Sequence, residues 1–255
     1  MIFFMHKILI STHKNYIFPE SALYTPIHVG KINSSVHIDT IGDDTGMNIS
    51  HKNNTFCELT ALYWAWKNDF FKDSVFCGLV HYRRYFQGSG EKLKGKRILA
   101  EDEILKYLKE YDILLPKKRR YYIETIASHY ANAHYKKDIL MTRKIVALQT
   151  SDYLDAFDAL MQQRSLYLFN MFVMSPEHFN AYMEWLFPIL FAIEDNIDID
   201  GYNSHQKRVF GYISERLFNV WILKNNLRVK ELDIHSLEGE NLFLKAWGLV
   251  RRKFS

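Results

Sequence analysis

Val75-Phe-Cys-Gly-Leu-Val80 is apolar throughout and runs without a break into His81-Tyr-Arg-Arg-Tyr-Phe86. A short apolar run of this kind reads as a strand covered on both faces, as at the centre of a parallel or mixed sheet. In open α/β sheets ligands gather outside the carboxyl ends of the strands, so His81, Tyr82, Arg83 and Arg84 stand where a ligand site is expected. Two guanidiniums and an imidazole there form a receptor for an anion, a phosphate or diphosphate above all. The plainer reading is that Arg83 and Arg84 pair with surface carboxylates.

Outward from this strand, short apolar runs at residues 6–11, 36–41, 112–115, 166–174 and 228–234 read as further strands. Helix-period segments at 55–68, 101–110, 123–148, 152–162, 176–194 and 204–224 interleave with them. This alternation predicts one α/β domain whose second half is rich in helix. Thr55 and Glu58 have the spacing of a capping box, which starts a helix at Thr55 and accounts for Glu58. Ser175 followed by Pro176 gives the helix at 176–194 an equally clear start. Residues 88–95 read as a polar loop.

The chain has 255 residues, 48% of them hydrophobic and 24% charged, which excludes disorder as its main state. Aromatic residues reach 15%, and the net charge of +4 is too slight to argue for nucleic acid by itself. Cys57 and Cys77 fall in a predicted helix and a buried strand, so free thiols and a cytoplasmic setting are expected. The apolar start is interrupted by His6 and Lys7 and reads as a first strand rather than a leader. No stretch reaches the roughly 18 uninterrupted apolar residues of a membrane span.

Other stretches carry candidate chemistry. The strand at 112–115 empties into Pro116-Lys-Lys-Arg-Arg-Tyr-Tyr122, either a solvated loop or, with its tyrosines, a surface for single-stranded nucleic acid. Gly42-Asp-Asp-Thr-Gly46 sets Asp43 and Asp44 in a turn, able to hold a cation, bind sugar hydroxyls or act as a base, or simply to build the turn. Thr12-His-Lys14 follows the first strand, where a nucleotide can rest. Asn170 interrupts an apolar strand and needs partners or a ligand. His129 and His134 are five apart, off the spacing for two ligands on one helical face, and zinc is not expected. Glu215 and Arg216 read as helix ion pairs beside His205 and Arg208. Residues 242–254 mix apolar and aromatic groups with four cations and no acid, a composition for an anionic membrane surface or a docked terminal helix.

Gly42-Asp-Asp-Thr-Gly-Met-Asn-Ile-Ser50, Cys57-Glu-Leu-Thr-Ala-Leu-Tyr-Trp-Ala-Trp-Lys-Asn68, Gly78-Leu-Val-His-Tyr-Arg-Arg-Tyr-Phe86 and Asn170-Met-Phe-Val-Met174 resemble one known family. It is the bacterial capsular-polysaccharide and O-antigen glycosyltransferase family, long catalogued only as a domain of unknown function, some members of which are assigned galactofuranosyl transfer. The resemblance runs from Thr12 to about Trp221. It implies a GT-A-like nucleotide-sugar-binding domain over residues 1–240, with a mixed central sheet, and a basic-aromatic tail at 241–255. The implied reaction moves a sugar, galactofuranose among the candidates, from a nucleotide-diphosphate donor, UDP-linked in the first instance, to a glycan of capsule or lipopolysaccharide O-antigen.

On that resemblance Thr12, His13, Lys14, His81, Tyr82, Arg83 and Arg84 are expected on the donor. Asp44, Asp43, Glu215 and His81 are the candidates to take the acceptor's proton. Asn48, Tyr85, Asn170, His205 and Arg208 are expected on the acceptor or sugar. Trp64 and Trp66 are expected in the core, with Tyr82, Tyr85 and Tyr121 nearer to sugar or base. Many enzymes of that fold hold a metal on an Asp-x-Asp motif after a central strand. Here cations follow the strand instead, so metal-independent transfer with no cofactor is expected, Mn²⁺ or Mg²⁺ being the alternative. A lipid-linked oligosaccharide or glycan acceptor, a peripheral place at the inner face of the membrane and no nucleic acid complete the expectation. The competing reading is a non-enzymatic polyanion-binding module using Arg83, Arg84 and residues 117–120 on RNA or membrane phosphates.

Overall fold

The apolar run at residues 75–80 becomes a central strand. The computed structural model describes residues 7–238. Its strands are β1 (Lys7–Thr12), β2 (Tyr24–His28), β3 (Ile41–Gly42), β4 (Cys77–His81), β5 (Arg84–Leu93), β6 (Lys96–Ile98), β7 (Ile113–Pro116), β8 (Arg119–Arg120), β9 (Ser165–Leu166), β10 (Phe172–Met174), β11 (Val229–Leu232) and β12 (Ile234–Ser236). Its helices are α1 (Asn53–Phe56), α2 (Leu59–Lys67), α3 (Glu101–Tyr107), α4 (Ile126–Ala133), α5 (Lys136–Gln149), α6 (Leu154–Gln162), α7 (Pro176–Glu194) and α8 (Val209–Lys224). The tail expected at 241–255 lies outside the described residues.

The main sheet runs β11-β7-β10-β4-β1-β2-β3. β10 is antiparallel to both β4 and β7, while β1 is parallel to β4 and β11 to β7. The carboxyl ends of β1, β4, β7 and β11 therefore share one edge, and the two cationic stretches after β4 and β7 stand on it together. This is the mixed α/β sheet that the sequence predicts.

Side chains alternate across the sheet with the period of two that a pleated strand imposes. Leu9, Leu79, Ile113, Leu115 and Phe172 enter a large core shared with α2 and α4 to α8. Ile8, Ile10, Val80, Leu114 and Val173 enter a second core under α3 and the β5–β6 hairpin. Both faces are thus covered, which is why β4 needs no polar residue before His81. Gly78 is needed at its centre, since a Cβ there would stand 2.6 Å from the Phe172 carbonyl of β10.

Several boundaries differ from expectation for identifiable reasons. β2 contains Pro26, which masks it as a strand, yet it pairs with β1 from Tyr24 to His28. Of the strand expected at 36–41 only Ile41 enters β3, and Val36 is exposed. The polar stretch at 88–95 is hairpin rather than loop: Lys94 (φ 49°) and Gly95 (φ 79°) make a tight turn between β5 and β6. The helix expected at 123–148 breaks between α4 and α5. The strand expected at 166–174 is interrupted by left-handed Phe169 (φ 77°) and Asn170 (φ 52°).

The helix expected at 55–68 is also two. Cys57 (φ 55°) separates α1 from α2, and Asn53 Nδ2 donates to the Cys57 carbonyl at 2.7 Å. Thr55 lies inside α1 and donates to the Lys52 carbonyl at 3.0 Å. The capping box does not form, and the Glu58 side chain is released for another partner.

Candidate functional site

A cleft of about 340 Å³ opens where β1 and β4 end, bounded by the α1–α2 kink, the Phe169 turn and the start of α8. Its lining holds three cations, Arg83, Arg84 and Arg208, with His13. The same lining holds two carboxylates, Glu58 and Glu215, and His81. The sequence predicts His13, His81, Tyr82, Arg83, Arg84, Arg208 and Glu215 as site residues, and the fold brings all of these into one lining.

The turn at Phe169 and Asn170 ties this site together. Two consecutive non-glycine residues in the left-handed region carry strain that surrounding contacts must hold. Glu215 Oε1 accepts from the Phe169 amide at 2.8 Å, and His81 Nε2 donates to the Phe169 carbonyl at 2.7 Å. Asn170 Nδ2 donates to Glu58 Oε1 at 2.7 Å. Since a carbonyl can only accept, the neutral His81 ring carries its proton on Nε2 and its lone pair on Nδ1. Burial lowers the His81 pKa against an opposing pull from Glu58, which favours that neutral ring.

The two carboxylates are held differently. Glu215 has both oxygens engaged, Oε1 by Phe169 and Oε2 by Arg216 Nη1 at 2.9 Å. Burial raises its pKa while Arg216 opposes the shift. Glu58 has Oε1 on Asn170, and no donor among the described residues takes its Oε2. A carboxylate oxygen beside the cations is thus left for a ligand.

The cleft cations concentrate positive potential. His13 is lowered by burial, with Lys14, Arg83 and Arg208 adding in the same direction. Arg84 packs over the Phe169 ring at 4.5 Å, and Arg208 Nε donates to Cys57 Sγ at 3.2 Å. Burial pushes the Cys57 thiol up to about 12, so it stays protonated at neutral pH. Lys14 Nζ and Arg83 Nη1 converge on one carboxylate, Glu238, at 2.9 and 3.2 Å.

Other expected site residues lie elsewhere. Asp43 is wholly buried: Oδ2 accepts from the Gly30 amide (2.8 Å) and Thr60 Oγ1 (2.6 Å), and Oδ1 from the Lys31 amide (3.2 Å) and Ser50 Oγ. With four protein donors on it, Asp43 has nothing left for an acceptor's proton, which corrects the expectation of a base there. Asp44 pairs with Lys31 at 3.4 Å outside the cleft lining, and Asn48 closes a local turn through Gly46 and Ser50. Thr12 is buried and shapes the strand end by donating to the Lys14 carbonyl at 2.7 Å. Tyr85 is 0% exposed in the second core, so it cannot touch a sugar. Asn170 acts through Glu58 rather than by lining the cleft. His205 is exposed next to Arg208, stacked on His134 with ring centres 5.8 Å apart. Trp64 sits in the core as expected, its Nε1 donating to Thr45 Oγ1 at 2.9 Å. Trp66 packs against that core, stacked on Phe187.

The sequence reading missed Glu58, because the capping-box spacing explained it away, and Asn53 and Asn54 with it. The one available signal was its place beside Cys57 in a long motif.

Among solved structures, the chain is similar to the apo structure of WbbM, a bifunctional glycosyltransferase. The two are 37% identical with a TM-score of 0.82, over 92% of this chain and 45% of that one. The chain thus spans less than half of that protein's length, and its GT-A-like α/β fold is the one the resemblance implied. Among curated proteins, none matches. The family described as a domain of unknown function (DUF4422) matches residues 7–226, from the first residue of β1 to past the end of α8, and the chain belongs to that family.

Proposed function

We propose that the chain is a glycosyltransferase that moves a sugar from a nucleotide-diphosphate donor to a glycan hydroxyl. The observation that carries this reading is the cleft at the carboxyl ends of β1 and β4, whose lining brings Arg83, Arg84 and Arg208 together with Glu58 and Glu215. Such a site suits a reaction that releases both an anion and a proton. A polyanion-binding module has no use for carboxylates beside its cations, which would repel the ligand. The likeness to WbbM, of which this chain spans 45%, supports the reaction class.

In this proposal the acceptor oxygen attacks the anomeric carbon, the bond from that carbon to the diphosphate breaks, and its electron pair leaves on the diphosphate. The arginines meet that charge in a site already preorganised for it. The acceptor's proton goes to Glu58 Oε2, the carboxylate oxygen that no described donor engages. Glu215 and His81 hold the Phe169 turn, and through Asn170 that turn aims Glu58. A divalent ion does not fit the residues after β4, which are cationic; among the described residues no three His, Cys, Asp or Glu side chains converge as ligands.

The resemblance in sequence supports the finer parts of the proposal: a UDP-linked donor, galactofuranose as the first sugar to try, and an acceptor of capsule or O-antigen type linked to lipid at the inner face of the membrane. Among the described residues no helix is long and apolar enough to cross a membrane. A thermal-shift screen of UDP-, GDP-, CMP- and dTDP-sugars in EDTA tests the reading, because a ligand of the folded state raises the melting temperature. Stabilisation by one nucleotide sugar in EDTA is expected. Stabilisation by none, with or without Mn²⁺, overturns it, and strict dependence on Mn²⁺ overturns its metal-free form.

A further inference from the structure

The second cationic stretch, after β7, stands outside the cleft on the same sheet edge. Lys117, Lys118, Arg119 and Arg120 are all exposed, and β8 pairs with β9 so that Arg120 lies opposite Ser165, next to exposed Arg164. Beyond these cations the chain presents two consecutive apolar side chains to solvent, Tyr122 at 86% and Ile123 at 72% exposure.

Both flanks of this tip are fixed. Tyr121 is buried and stacked on His129 at 3.9 Å, its amide donates to the Arg164 carbonyl at 2.6 Å, and Ile126 is 0% exposed. The nearby acids are already engaged, Asp233 by Lys117 at 2.8 Å and Glu124 by His129 and Asn132 at 2.9 and 2.6 Å. Arg119, Arg120 and Arg164 have no ion-pair partner among the described residues. Isolated exposed apolar residues are ordinary, but a held-out Tyr-Ile pair ringed by uncompensated cations is the arrangement of an interfacial anchor.

We propose that residues 117–123, with Arg164, are a docking surface for an anionic phospholipid bilayer. Tyr122 and Ile123 enter the headgroup layer, the tyrosine keeping its hydroxyl wet, while the guanidiniums pair with lipid phosphates. Single-stranded RNA fits less well. Ile123 offers a base no stacking face, and of the two tyrosines Tyr121 is already stacked inside the protein. The surface turns the cleft's edge toward the membrane, yet it does not depend on sugar transfer.

The test is flotation of the full chain with vesicles of phosphatidylcholine carrying about 30% phosphatidylglycerol, against phosphatidylcholine alone. Wild type is expected to float with the anionic vesicles and to be released by high salt. Arg119→Ala with Arg120→Ala is expected to weaken partitioning about thirtyfold. Tyr122→Ser with Ile123→Ser is expected to weaken it at least about tenfold. Melting temperatures should stay at the wild-type value because these side chains are exposed. Glu58→Gln, inactive in the transferase reading, should float like wild type, which keeps the two proposals separable. Failure of wild type to float, undiminished flotation of both loop variants, as when residues 242–254 supply all the binding, or loop-dependent binding to single-stranded RNA without vesicle binding each overturns the proposal.

Discussion

Substituting Asp43→Asn separates a structural carboxylate from a catalytic one. The carboxylate receives two backbone amides, from Gly30 and Lys31, and two hydroxyls, from Ser50 and Thr60. An asparagine keeps one acceptor oxygen and turns an NH₂ toward the other pair of donors. The hydroxyl of that pair can rotate to accept, but the backbone amide cannot. One buried amide is left unsatisfied, at about 1–3 kcal/mol, and the charge-assisted character of the remaining bonds is lost, at about 1.5–3 kcal/mol. A net loss of about 3–5 kcal/mol corresponds to a fall in melting temperature of about 6–20 °C for a chain of this size. Differential scanning fluorimetry reads it directly. Activity per folded molecule at low temperature should survive, since Asp43 does not reach the cleft. A variant that melts like wild type but no longer transfers sugar would refute this assignment and restore Asp43 as the base.

Three further outcomes follow from the same geometry. Arg83→Ala with Arg84→Ala should raise the Kd for the donor nucleotide by about 10- to 100-fold or more by calorimetry, the scale of lost charge-assisted bonds. Glu238→Gln should tighten nucleotide binding by about twofold to fivefold, because the diphosphate no longer displaces a half-exposed carboxylate from Lys14 and Arg83. Burial lowers His134 to about 4, so between its ordinary value near 6.5 and about 4 the unfolded chain binds a proton that the folded chain refuses. Stability should therefore fall with pH through that window, and His134→Gln should flatten the fall in a series of melts from pH 7 to 4. Burial lowers His28, His81 and His129 in the same direction, so the variant removes only part of it.

The sequence showed the centre of the sheet well because β4, β7 and β1 each carry an apolar run that is covered on both faces. It showed the cleft cations for the same reason: His81 to Arg84 directly follow such a strand. The cleft carboxylates were much less legible. Glu58 depends on a left-handed Cys57 that breaks a good helix pattern, and neither that break nor the Asn53 bond to the Cys57 carbonyl leaves a mark in the apolar periodicity. Asp43 and Asp44 look like catalytic acids in one dimension. Only the return of Gly30, Ser50 and Thr60 around Asp43 reveals a buried turn. Tyr85 shows the limit of placing side chains by proximity, since it enters the second core while its neighbour Arg84 lines the cleft.

In the proposed reaction the cleft cations receive the diphosphate while Glu58 takes the proton. Its most direct test is sugar transfer in excess EDTA by wild type and Glu58→Gln, each with its nucleotide-sugar Kd and melting temperature measured alongside. Full wild-type turnover is expected, with a fall in kcat of about 100-fold or more for Glu58→Gln and little change in its Kd or melting temperature. Wild-type turnover by Glu58→Gln, or loss of wild-type turnover in EDTA, would contradict it.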